Sequence, residues 1–185
     1  MGSLADKVTV VGGDITRQDV DAIVNAAHSD LLGGGGVDGA IHSAAGPGLL
    51  DECRKLGGCC VGEAKITGAY DLKCRYVIHT VCPIFSGGDP QELSALKHCY
   101  MNALRLASEN ECRTIAFPAI GCGHNAFPED IAARIAMWAV RLFFEEHPGT
   151  GVQEVRFVCR PEDYLERVFA DAWGSVFSQT SVGRI

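Results

Sequence analysis

Residues 33–36 are four consecutive glycines, and after them Val37, Ala40, Ile41, Ala44 and Ala45 recur at helical spacing. A backbone without Cβ atoms takes positive φ freely and lets another molecule come close. The run therefore predicts a tight turn that delivers the chain into the start of a helix. Unpaired amides at a helix start, with the positive end of the dipole, form a ready anion site. Asp38 falls in the first helical turn. A carboxylate is stabilised there, yet it would lie beside any bound phosphate. A phosphate cradle needs no acid, so Asp38 is a candidate for recognition or catalysis. A flexible turn followed by a capping Asp would give the same local pattern.

Apolar runs of strand length alternate with helical patterns along most of the chain. Strands are expected at 7–11, 22–27, 64–67, 76–81, 114–118 and 154–159, and helices at 37–45, 49–56, 91–108, 128–146 and 163–173. That alternation predicts an α/β fold, a three-layer α/β/α sandwich around a mostly parallel sheet. Residues 1–6 read as an N-terminal extension, 7–173 as one domain, and the polar stretch from 174 to 185 as a frayed tail. Ligands of such sheets bind beyond the carboxyl ends of the strands. Polar or glycine-bearing exits stand at those ends: Asp14, Asn25, the stretch Gly121 to Asn125, and Arg160.

Several function classes are disfavoured. A net charge of −7 argues against a nucleic-acid partner held chiefly by Coulomb attraction. No apolar run is long enough to span a bilayer, and the first residues lack the charged-then-apolar pattern of a leader, so no membrane partner is expected. The nine cysteines include no CxxC pair, so zinc spacing is absent. Their apolar surroundings predict reduced core thiols and an intracellular home, cytoplasmic or nuclear. There is no Gly-Lys-Ser/Thr phosphate loop, and no Gly-x-Gly-x-x-Gly follows the first strand.

Taken in order, Gly13-Asp14-Ile15-Thr16, Ile23-Val24-Asn25-Ala26-Ala27, Leu32 through His42, Ala45-Gly46-Pro47, Val77-Ile78-His79-Thr80-Val81 and Ala116-Phe117-Pro118-Ala119-Ile120 resemble a macrodomain of the MacroD type. The resemblance spans about residues 7 to 170. It implies a mixed, mostly parallel sheet and a partner that is ADP-ribose or an ADP-ribosylated protein. It further implies hydrolysis of the ester joining ADP-ribose to protein carboxylates, deacetylation of O-acetyl-ADP-ribose, and no metal or other cofactor. A monomer is expected. By matching position, Asp14 resembles the acid that accepts the adenine amine, with the Ile15 amide beside it, and Asn25 the residue that bonds the distal ribose. Gly34, Gly35, Gly36 and Val37 resemble the first diphosphate loop. Ile120, Gly121, Cys122, Gly123, His124 and Asn125 occupy the second. Asp38 resembles the acid that activates water, and Arg160 falls where relatives carry an aromatic against adenine.

Two positions depart from the family pattern. His28 stands where the family usually has a second Asn that positions the distal ribose for hydrolysis; its ring is larger and belongs to a residue type that titrates near neutral pH. Asn125 stands where an aromatic normally covers that ribose and excludes water. Binding should survive these changes better than catalysis, and the loop from Ile120 to Pro128 also resembles that of binding-only macrodomains. An ester hydrolase with Asp38 and His28 as catalytic residues and a reader without turnover therefore both remain open. His79 is expected as a packed core residue and His42 as structural. Cys122 and His124 are two residues apart, a spacing that seldom gives attack geometry for a thiol and its base.

Overall fold

The structure, a computed structural model, describes residues 2–162 and 164–178. Six strands form one sheet: β1 (Val8–Gly12), β2 (Ala22–Ala26), β3 (Ala64–Gly68), β4 (Tyr76–Thr80), β5 (Thr114–Phe117) and β6 (Glu154–Cys159). Their order across the sheet is β1-β6-β5-β2-β4-β3. Every neighbouring pair is parallel except β3 with β4. The sheet is thus mixed and mostly parallel, with the antiparallel strand at one edge, as the alternating pattern and the family resemblance imply.

The pleat sends alternate side chains to opposite layers. Val24, Ile78, Ile115, Phe117, Val155 and Phe157 face α3 (Pro90–Glu109), α4 (Glu129–Glu146) and α5 (Leu165–Phe177). Ile23, Val77, Ala116 and Val158 face α1 (Gly36–Ala45) and α2 (Pro47–Leu56). Both faces are covered, which is why these strands read as nearly continuous apolar runs. Helix ends follow local chemistry. Pro47 and Pro90 occupy first-turn positions, where a missing N–H costs nothing. The Asp89 carboxylate accepts from the Gln91 and Glu92 amides at 2.8 and 2.9 Å.

β2 and β5 lie side by side, yet their exits lead to opposite layers, one into α1 and the other into α4. Such a divergence opens a crevice at the carboxyl ends of the strands. The first glycine-bearing loop follows β2 and the second follows β5, so topology alone brings them together.

Two boundaries need correction. The chain does not fray at Gly174: α5 continues to Phe177. Val176 is buried and its carbonyl accepts from Arg141 Nη1 at 2.7 Å, which ties the last turn to α4. Residues 179–185 of the expected tail, and Asp163, lie outside the described residues. Within the expected extension, Leu4–Lys7 form a 3₁₀ turn and Leu4 packs on the core.

Candidate functional site

An open cavity of about 960 Å³ occupies the crevice, a size suited to a nucleotide-scale ligand. Gly35, Gly36 and Val37 line one side of it, and Gly121, Cys122, Gly123, His124 and Asn125 line another, with His28 and Arg160 also on its wall. No side chain caps the start of α1. Its first amides therefore keep the donor capacity and dipole that suit an anion.

The glycines of the first turn differ in what requires them. Gly33 and Gly36 have φ of 86° and 59°. A Cβ at Gly34 would come within 2.7 Å of His28 Nδ1, so that glycine makes room for the ring. Leu31 also has a positive φ, 60°, a rare conformation for its type. It is fully buried in the layer under α1, which holds it there. In the second loop Gly121 has φ of 88° and sits against Phe127.

Asp38 is 2 % exposed. Its Oδ1 accepts from Asn25 Nδ2 at 2.8 Å, and its Oδ2 meets His28 Nδ1 at 3.0 Å. His42 Nε2 lies 3.4 Å from Oδ1 but off the line of a hydrogen bond, and that ring nitrogen has no hydrogen-bond partner among the described residues. His28 is more than half exposed along its side chain, so it stands between the buried acid and the cavity. A carboxylate against Nδ1 fixes the proton on that nitrogen and leaves Nε2 as an acceptor. The acid itself does not line the cavity, whereas the His28 ring does.

The second loop is closed by its own backbone. Ala126 N donates to Gly123 O and Phe127 N to Gly121 O, each at 3.0 Å. The Asn125 side chain donates through Nδ2 to Cys82 O at 2.8 Å, and the Asn125 carbonyl accepts from Phe85 N at 2.8 Å. On the far wall the Tyr164 hydroxyl donates to Glu129 at the start of α4. Burial pushes the thiols of Cys82 and Cys122 up to about 12. A thiol so reluctant to ionise is a poor nucleophile, which disposes of a Cys122/His124 pair.

Comparison with known proteins places this arrangement. A Macro domain family model matches residues 24–136. The chain belongs to the macrodomain family, MacroD type. A macro domain-containing protein of Listeria monocytogenes is 52 % identical over 164 residues, covering 86 % of this chain and 93 % of the relative. The ADP-ribose glycohydrolase MACROD2 of Xenopus laevis is 53 % identical over 146 residues, 78 % of this chain but 35 % of that protein. Among solved structures, the Trypanosoma brucei macrodomain in complex with ADP-ribose is 41 % identical with a TM-score of 0.82, covering 89 % of this chain and 68 % of that one. A variant of the Oceanobacillus iheyensis macrodomain with ADPR is 35 % identical with a TM-score of 0.85, covering 92 % and 93 %.

In this macrodomain several expected ligand contacts are placed differently. Asn25 is wholly buried and its amide nitrogen is engaged with Asp38 and His79, so it supports the acid rather than facing a ribose. Asp14 caps the short turn that follows β1: its Oδ1 accepts from the Thr16 amide and hydroxyl at 2.8 and 2.7 Å. The Thr16 hydroxyl holds its carboxyl below the usual carboxylate range. Ile15 and Ile120 are buried in the core, and neither they nor Asp14 and Gly34 line the cavity. Asn125 lines it, and its amide donates to Cys82 O as a staple. His79 is buried as expected, but its ring bonds to Asn25, a connection hidden until β2 and β4 are paired. The parallel register sets Asn25 directly beside His79.

Proposed function

We propose that this macrodomain binds ADP-ribose and hydrolyses the ester that joins it to Asp or Glu side chains of proteins, with O-acetyl-ADP-ribose as a second ester of the same ribose. The observation that carries this reading is the His28–Asp38 pair at the mouth of a cavity walled by two glycine-bearing loops. The names of the similar proteins, an ADP-ribose glycohydrolase and macrodomains bound to ADP-ribose, support it. Amides of Gly35, Gly36 and Val37, with those of Gly121 to Gly123, hold the two phosphates, and this fixes the distal ribose near His28. His28 Nε2 takes a proton from water as the water oxygen bonds to the ribose C1″ carbon. The bond from C1″ to the ester oxygen breaks with its electron pair going to the leaving carboxylate. The imidazolium then returns its proton to solvent. Asp38 keeps the ring in the tautomer that can accept, and it stabilises the charged ring that forms.

The test is release of label from a glutamate-ADP-ribosylated protein, beside calorimetry with ADP-ribose. Asp38→Asn should lower turnover by roughly 10²–10⁴-fold, the range of a lost acid–base function, while ADP-ribose still binds. Turnover at the wild-type rate in that variant would overturn the catalytic assignment. Binding without turnover in the wild type would make the chain a reader, and no heat with ADP-ribose would remove the ligand.

A further inference from the structure

Beneath the cavity a line of side chains runs from the sheet to His28. Asn25 Nδ2 reaches Asp38 Oδ1 at 2.8 Å and His79 Nδ1 at 3.1 Å. On the other edge of the ring, His79 Nε2 lies 2.9 Å from Thr67 Oγ1 on β3 and 3.7 Å from Cys53 Sγ on α2. Asn25, Thr67 and His79 are all buried, so water cannot replace a lost partner cheaply.

Asp38 decides the direction of every bond in that line. An ionised carboxylate only accepts, so Asn25 turns its NH₂ toward it, and the second hydrogen of the same nitrogen reaches His79. His79 Nδ1 therefore accepts. The ring proton sits on Nε2 and is donated to Thr67, whose hydroxyl has the Val77 carbonyl within 3.5 Å. A charged ring would set a donor against the Asn25 donor. Burial, with His42 alongside and only partly opposed by Asp38, also lowers the His79 pKa to about 4. Among the described residues Asn25 Oδ1 has no partner. The orientation of its amide rests on the two bonds of its nitrogen, and only one survives without the His79 acceptor.

We propose that His79 is a positioning residue: its neutral ring, protonated on Nε2 and bonded there to Thr67, grips the Asn25 amide and through it keeps Asp38 oriented behind His28. The inference deepens the hydrolytic reading of the site and rests on it.

Two substitutions separate this role from plain core packing. Asparagine at position 79 sets a carboxamide oxygen where Nδ1 stands and keeps the acceptor. Glutamine sets an amide nitrogen where Nε2 stands and loses it. With the ester substrate, His79→Asn should stay within about threefold of wild-type kcat, and His79→Gln should lose about thirtyfold with KM little changed, the mark of an interaction felt in the transition state. Equal kcat in both variants would overturn the proposal. Should the glutamine variant fail to melt cooperatively, Thr67→Val replaces it: the Nε2 edge of the ring loses the acceptor that holds it against Asn25 and kcat should fall about tenfold, whereas wild-type kcat would overturn the proposal. Nitrogen-15 spectra of the histidines in the resting wild-type protein give an independent reading. Nδ1 should be bare and Nε2 protonated; the reverse would also overturn it. A wild-type protein without turnover would instead remove the hydrolytic reading, and the ring's tautomer would still decide the hydrogen-bond line.

Discussion

The two glycine-bearing loops face each other across one cavity but are held by different means. The first, after β2, has buried side chains beneath it: Leu31 in the core, and Asp38 tied to Asn25 and His28. The second, after β5, closes on its own backbone bonds and on one amide staple from Asn125 to Cys82 O. The helix starts differ too. α1 opens on glycines and turns its one acid inward, whereas α4 opens on Glu129 and Asp130, with Glu129 on the cavity wall. In the proposed reaction, side chains of the first loop bear on chemistry and backbone of the second on shape. Changes in the first should alter turnover or acid stability, and changes in the second should alter ligand affinity.

Acid should strain the first region most. The His79 ring is neutral in the folded protein down to about pH 4 but takes a proton below about 6.5 once unfolded. Between those values the unfolded chain binds more protons, so stability falls as pH falls through that window. The full difference is about 3 kcal/mol. Groups facing the ring are Asp38, His42, Cys53 and Thr67. Denaturant unfolding of the wild type and His79→Asn from pH 7 to pH 4 should show the wild type losing more. Hydrogen exchange should quicken at the Gly39 amide, bonded to Gly35 O, before the Phe127 amide, bonded to Gly121 O. Equal acceleration at both would erase the contrast between the loops.

Gly34→Ala probes the same region through sterics. Gly34 is not among the residues with positive φ, so the backbone accepts alanine and the cost falls on the His28 ring and on Asp38 Oδ2, 3.3 Å from the new Cβ. The half-exposed ring can swing away, which breaks its contact with Asp38. Turnover should fall roughly tenfold to a hundredfold, as small misplacements of a reacting group do, with little change in unfolding free energy. A Cβ at Gly123 meets nothing within 4 Å, so Gly123→Ala should leave stability unchanged. A Gly34→Ala enzyme at full rate would mean that His28 is a bystander.

Much of this was legible in the chain. Two-face burial makes strands such as 22–26 apolar but for Asn25, and the glycine run marks a turn whose positive φ at Gly33 and Gly36 favours glycine. The roles of individual polar residues were less visible. Asn25 and His79 are 54 positions apart, and their contact exists only once β2 pairs with β4 in register. Each alone reads as a strand-end Asn and a core His. Asp14 reads as a ligand contact because a short polar side chain at a loop start suits both ligands and local backbone; here its local bonds to Thr16 are the ones formed. The end of α5 is not legible because Gly174 and Ser175 are weak helix formers, and packing on α4 overrides that.

The smallest effect is expected at the staple. Asn125→Ala removes the 2.8 Å bond to Cys82 O but keeps the backbone bond from Phe85 N to the residue 125 carbonyl. The second loop is then loosened rather than detached. One hydrogen bond of this kind contributes about 1 kcal/mol, so unfolding free energy should drop by about that amount. If the loop must be re-ordered when the diphosphate arrives, ADP-ribose affinity should weaken by about fivefold, the equivalent in binding. kcat should hold, because no group of the His28–Asp38 line touches the staple. Calorimetry set beside single-turnover rates separates the two quantities. A variant that loses rate rather than affinity would show the second loop to be part of the chemistry, and the division between the loops would not stand.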